Sequence, residues 1–185
     1  MKRICLFTIL LAFSWQLFAQ IKLPKVIGSN MVLQQQTKVN LWGWAGKDKT
    51  IQVKASWLKQ AVETKSDAEG NWAVKLQTPV GSFTAQSITI SDGEPVRLEN
   101  ILIGDVWVCS GQSNMEMPVK GFRNQPVNSA FDYIISANKE ASNIRMYTVV
   151  RERSYDKDLT DSKAGQWESA SPKTVADFSA VGYFF

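Results

Sequence analysis

The sequence predicts a mixed architecture: a small antiparallel β-sandwich, followed by the start of a domain in which strands and helices alternate around a parallel sheet. Three observations carry that expectation. Residues 25 to 90 contain short segments with period-two apolar alternation, separated by clusters of turn-forming residues. Near residue 99 the texture changes to uninterrupted apolar runs, as in strands covered on both faces. Beyond that point a helical pattern lies between two apolar segments, a strand–helix–strand unit.

The first segment is not part of either unit. Residues 1 to 19 open on Lys2 and Arg3, run through an apolar stretch from Ile4 to Phe13, and end at Ser14-Trp-Gln-Leu-Phe-Ala19. This is the layout of a secretory signal peptide. Cleavage is expected after Ala19, although Leu17 fits the minus-three position poorly. A membrane anchor is the alternative, but the apolar run is shorter than the roughly 18 to 20 residues a span requires. No stable membrane span is therefore expected after cleavage, and the mature chain is expected to be exported, to the periplasm or the exterior.

Composition narrows the class further. Of 185 residues 44% are hydrophobic and 21% charged, an ordinary globular balance. The formal charge of +4 includes Lys2 and Arg3; without them 19 basic residues face 17 acidic ones. The basic residues are scattered, so no nucleic-acid footprint is expected. Cys5 would leave with the signal, and Cys109 alone cannot make a disulfide framework. Within its apolar surroundings Cys109 reads as a buried, inert thiol. The chain has no histidine, and neither Cys/His spacing nor a carboxylate cluster occurs, so neither a metal site nor a cofactor is expected.

The expected strands of the sandwich are Val39–Trp44, Ile51–Trp57, Asn71–Leu76 and Phe83–Ile90. The connecting segments Ala45–Lys49, Ser66–Gly70, Thr78–Gly81 and Ser91–Pro95 have turn chemistry. On a strand Trp42 and Trp44 share one face; such a pair either stacks on sugar rings or, the favoured reading, fills the core together with Trp57 and Trp72. The second unit begins with the run Ile101-Leu-Ile103 and an apolar strand Val106–Cys109. It continues with a helix at Phe131–Glu140, presenting Phe131, Ile134 and Ile135 on one face, and a strand at Asn143–Val150. Six of the last eight residues are apolar, which reads as an element of a core that continues beyond Phe185.

The chemistry concentrates in Ser110-Gly-Gln-Ser-Asn-Met115, which follows the expected strand directly. Gly111 permits a sharp backbone path that lifts a side chain clear of a sheet, and functional groups in open parallel sheets gather at the carboxyl ends of strands. Ser113 is then a candidate nucleophile, with a solvated turn as the alternative. A serine hydroxyl needs a base, usually imidazole, and this chain cannot supply one. Asp105, Glu116, Arg145 and Asp177 are polar neighbours of the motif or its unit. Structural duties account for them better: backbone satisfaction for Asp105, a helix N-terminal position for Glu116 and an exposed strand face for Arg145.

The segment Gly104-Asp-Val-Trp-Val-Cys-Ser-Gly-Gln-Ser-Asn-Met-Glu-Met-Pro118 resembles the first signature block of the sialate O-acetylesterase family, within the SGNH hydrolase superfamily. Met31-Val-Leu-Gln-Gln35, Val39 to Gly46, and Trp167 to Phe185 are similar to further segments of that family. After the signal peptide at 1–19, the resemblance implies a β-sandwich-like module at 20–98 and an incomplete SGNH-type, flavodoxin-like α/β/α domain at 99–185. It implies an acetyl-ester hydrolase acting on O-acetylated sialic acid or related carbohydrate, with Ser113 as nucleophile and backbone oxyanion donor. Gly111, Gln112 and Asn114 would be supporting motif residues. The family's oxyanion asparagine and its Asp-x-x-His element have no counterpart in these residues, so the chain as written is expected to be inactive alone. A secreted, non-catalytic carbohydrate-binding or interaction module is the alternative.

Overall fold

A computed structural model describes residues 20–140 and 143–185. The expected signal peptide, with Cys5, lies outside the described residues. Strands dominate and helices are few and short, α2 excepted. The strands are β1 (Val32–Gln34), β2 (Lys38–Trp44), β3 (Thr50–Ala55), β4 (Val62–Lys65), β5 (Asn71–Gln77), β6 (Ser82–Ser91), β7 (Pro95–Gly104), β8 (Arg145–Tyr147) and β9 (Trp167–Ser169). The helices are α1 (Ser113–Glu116), α2 (Ala130–Glu140), α3 (Pro172–Asp177) and α4 (Ala180–Phe184).

Alternation in the sequence becomes alternation in burial. Along β3 Ile51, Val53 and Ala55 are fully buried while Thr50, Gln52 and Lys54 are exposed, and β5 buries Trp72, Val74 and Leu76 in the same way. A five-stranded sheet runs in the order β1-β7-β6-β3-β4, and β2 pairs antiparallel with β5 in a second, two-stranded sheet. The buried residues of both join in one core, in which Leu41 and Leu76 meet Ile51, Ile88, Ile90 and Ile101. The turn that passes the chain from β4 to β5 is tightly specified. Ser66 is buried with its hydroxyl donating to Gly46 O at 2.6 Å and accepting from Lys49 N at 2.8 Å. Gly70 adopts φ +86°, and a Cβ there would meet Ala45 O at 2.4 Å.

Three features of this part differ from the sequence expectation. First, the five-stranded sheet is not wholly antiparallel, because β1 pairs parallel with β7, Val32 opposite Leu102 and Gln34 opposite Gly104. Second, Ile101-Leu-Ile103 does not open a new sheet: it is the end of β7, so the expected boundary between residues 98 and 99 falls inside a strand. Asn100 takes φ 54° and the β6–β7 register shifts nearby, which breaks the alternation and buries three successive residues. The two-sided apolarity is genuine, but the parallel neighbour is β1. Third, Trp42 and Trp44 lie on the outer face of β2, opposite in direction to buried Leu41 and Gly43; Trp42 is 38% exposed. Trp72 and the half-buried Trp57 take the core roles instead.

The rest of the chain is built on smaller elements. The strand expected at Asn143–Val150 shortens to β8, whose partner is the antiparallel β9 rather than a parallel strand. Helix α2 forms where the periodicity placed it, but its inward positions are Ile134 and Ala137; Phe131 and Ile135 are exposed, at 79% and 65%. Ser171 begins α3 with a capping box to Thr174 and a proline in the first turn. Val119, Ala137, Met146, Ala170, Val175 and Ala180 form a second, small core. Hydrogen bonds tie this part to the strand-rich part, among them Lys25 N–H donating to Asp161 Oδ1 at 2.8 Å and Trp167 Nε1–H donating to Val26 O at 2.8 Å. Among the described residues no helix is long and apolar enough to cross a membrane.

Candidate functional site

The serine motif sits where three separated parts of the chain meet. After β7 ends at Gly104, Asp105 Oδ1 accepts from Gln34 Nε2 at 3.2 Å and from Gln35 Nε2 at 3.0 Å, while Gln34 Oε1 accepts from Val106 N–H at 2.8 Å. Gln35 Oε1 in turn accepts from Gly81 N–H at 2.8 Å. Asp105 therefore serves side-chain amides of the β1 segment, not the backbone donors expected of it. The sequence pattern does not single out Gln34 and Gln35 individually. Their signal is the adjacent pair of amides, each able to donate and accept at once.

The expected strand Val106–Cys109 does not form. The segment is irregular, with Trp107 68% and Val108 91% exposed, and Cys109 is exposed rather than a buried thiol. A strand needs a neighbour to take its backbone hydrogen bonds, and among the described residues none lies beside this segment. It rests on α4 instead. Trp107 meets the ring of Phe185 edge-on at 5.0 Å, and Cys109 Cβ lies 3.7 Å from where a Cβ at Gly182 would be.

The turn itself does form. A Cβ at Gly111 would come within 2.7 Å of Met115 Cγ, so any other residue there would displace the methionine side chain of α1. Gln112, at φ −113° and ψ −146°, precedes the helix; its side chain makes no cap, and its carbonyl accepts from Met115 N–H at 2.9 Å. Ser113 is the first residue of α1 and is exposed, as is Asn114, whose backbone carbonyl accepts from Met117 N–H at 3.4 Å. Among the described residues the Ser113 hydroxyl has no hydrogen-bond partner.

The segment after α1 is locked to the C-terminal helices. Met117 O accepts from Ala180 N–H at 2.8 Å, Val119 N–H donates to Phe178 O at 2.9 Å, and Lys120 N–H donates to Ala176 O at 3.0 Å. The remaining polar neighbours are engaged in ion pairs: Glu116, the last residue of α1, with Arg151, and Asp177 with Lys120. Arg145 is half-buried rather than on an exposed face, and burial lowers its guanidinium below the ordinary arginine value. Burial raises the Tyr147 phenol, and the negative charge of Asp161 adds to the shift. No group of three or more His, Cys, Asp or Glu side chains that could hold a metal ion occurs among the described residues.

Comparison with known proteins decides the relationship. The chain is 31% identical over 135 residues to sialate O-acetylesterases of Pongo abelii and Homo sapiens, and 31% over 134 residues to that of Mus musculus. It is a homologue of the sialate O-acetylesterases. The matched residues make up 68% of this chain, and the chain spans 23% of the length of each of these relatives. Among solved structures, a carbohydrate acetylesterase from Xanthomonas citri superposes with a TM-score of 0.79 at 27% identity, covering 89% of this chain and 36% of that one. No family model matches the chain. In this chain Gln34, distant in sequence, bonds to Val106 before Ser113, and Phe178 bonds to Val119 after it.

Proposed function

We propose that this chain carries the nucleophile-bearing part of an exported carbohydrate O-acetylesterase. Ser113 is the nucleophile, and residues from Asp105 onward belong to an SGNH-type α/β/α domain that follows a sandwich-like module. The observation that carries this reading is that the other segments resembling the esterase family bond to the two ends of the stretch that holds one exposed serine: Gln34 and Gln35 at Asp105 and Val106, and the C-terminal helices at Met117 and Val119. The similarity to proteins named as carbohydrate and sialate acetylesterases supplies the substrate class.

In the reaction the Ser113 hydroxyl adds to the acetyl carbonyl while a base takes its proton. The tetrahedral intermediate collapses, the sugar alkoxide leaves with that proton, and an acetyl-serine remains. Water then adds to the acetyl-serine, releasing acetate and restoring the hydroxyl. The Ser113 N–H is the donor this chain offers to the oxyanion. No histidine is present among the 185 residues, so the base comes from residues outside them.

Fluorophosphonate labelling tests the assignment in a polypeptide extended to the length of its relatives. The label is expected on Ser113, and Ser113→Ala is expected to abolish it and to cut acetyl-ester hydrolysis by on the order of 10⁶-fold. Label retained in the alanine variant would refute the nucleophile. The 185-residue chain alone is expected to hydrolyse small acetyl esters no faster than background, and robust turnover by it would refute an external base. The absence of histidine also favours a second reading, a non-catalytic carbohydrate-binding module, which an unlabelled and inactive extended polypeptide would support.

A further inference from the structure

The tryptophan that the core leaves outside has a built environment. Trp42 lies midway along the outer face of β2, opposite the small Ala73 of β5, and is 38% exposed. Two hollows of about 550 and about 700 Å³ adjoin, and Trp42 and Thr160 line both. The first hollow is lined by the segment after β8, including Val150 and Leu159, and Asp161 of that segment accepts from Lys25 N–H. Trp44 differs from its neighbour because the Lys22 ammonium stands 5.3 Å from its ring centre. Trp42 is the open platform.

The charges around this trough say what it does not take. Its lining holds the carboxylates of Asp67, Glu152 and Asp161 and the cations of Lys65 and Arg151. Lys65 pairs with Asp48 at 3.8 Å, and Arg151 pairs with Glu116. An anionic ligand would find carboxylates and two cations already engaged, so a phosphate, a nucleic acid or a strongly acidic glycan is disfavoured. An indole beside the apolar Val26, Val150 and Leu159, with Thr160 and Asp161 in the same lining, matches instead the apolar ring faces and equatorial hydroxyls of a neutral sugar.

We propose that the trough over Trp42 is a binding subsite for a neutral oligosaccharide, one pyranose ring stacking on the Trp42 indole. The subsite rests on the carbohydrate reading of this protein but not on Ser113 as nucleophile. The Arg151–Glu116 ion pair joins its wall to the helix that begins at Ser113, so a glycan held here is anchored beside the serine segment.

The test is a glycan array of neutral and sialylated oligosaccharides lacking O-acetyl groups, followed by calorimetric titration of the 185-residue chain with the best neutral binder. Saturable binding of a neutral oligosaccharide is expected. Trp42→Ala should weaken it at least tenfold, and Leu159→Arg, which fills the trough from an exposed loop, should do the same. No binding above background, preference for sialylated glycans only, or equal affinity in both variants would overturn the subsite. Because no probe carries an acetyl ester, these outcomes are independent of fluorophosphonate labelling at Ser113.

Discussion

The part of the chain up to Gly104 and the part after it differ in how completely they cover their own apolar residues. In the first, the large hydrophobic side chains of β2, β3, β5, β6 and β7 meet in one core, and those left exposed are Val26, Trp42, Val80 and Phe83. In the second, three of the six residues of the core are alanines, while Trp107, Val108, Phe131, Ile135 and Phe185 are all more than half exposed. Their composition is similar; their supply of hydrogen-bonding neighbours is not. An apolar run becomes a strand when another strand takes its backbone groups, and Val106–Cys109 has no such neighbour among the described residues where Ile101–Ile103 has two, β1 and β6.

Core truncation should break the comparison most strongly. Ile90→Ala, at a position with no exposed surface in the large core, is expected to cost about 4 kcal/mol, against about 2 kcal/mol for Val175→Ala in the small one. Chemical denaturation of the two variants checks this. Equal losses would mean that the two cores are packed to the same depth.

A smaller effect is expected at the turn between β4 and β5. Gly70→Ala puts a Cβ against Ala45 O in a left-handed conformation, and should cost about 2 kcal/mol, read as a lower thermal midpoint. Gly28→Ala, where a Cβ would meet nothing, serves as the control.

The smallest effect is one of pH. The Asp67 carboxylate accepts from the Asn71 side-chain amide at 2.9 Å and from the Asn71 and Glu69 backbone N–H groups at 2.7 and 3.0 Å. Those bonds, the side-chain one foremost, hold its pKa below the ordinary aspartate value. A folded-state pKa below the unfolded one stabilises the fold above the unfolded value, about 3.9, and that gain is lost as pH falls through the folded value. The midpoint difference between the native chain and Asp67→Ala should thus be present at pH 7 and shrink steadily below about pH 4. A difference independent of pH would assign the turn's stability to the backbone alone.

Legibility follows the same division. The four expected strands between Val39 and Ile90 are present with shifts of a residue or two at their ends, because each carries its own period-two pattern and its own turn. Strand β4 is not legible because Val62-Glu-Thr-Lys65 is short and half polar, and β1 because three residues leave no period to read. At the candidate site Gly111 and the turn into Ser113 are legible from a small residue at a sharp bend. The glutamines that hold Asp105 and Val106 are not, because their partners are about 70 residues away.

By itself the sequence determined which residues alternate, where the chain must turn, and which serine stands at the head of a turn, since each of these depends on neighbours within a few positions. It also determined that no imidazole is available among these residues. Only the tertiary structure decided that Ile101–Ile103 belongs to the first sheet, that Trp42 faces out and Trp72 in, and that Cys109 is exposed against α4. Those outcomes depend on which distant backbone arrives to pair and which face it covers, and a local pattern carries no record of either.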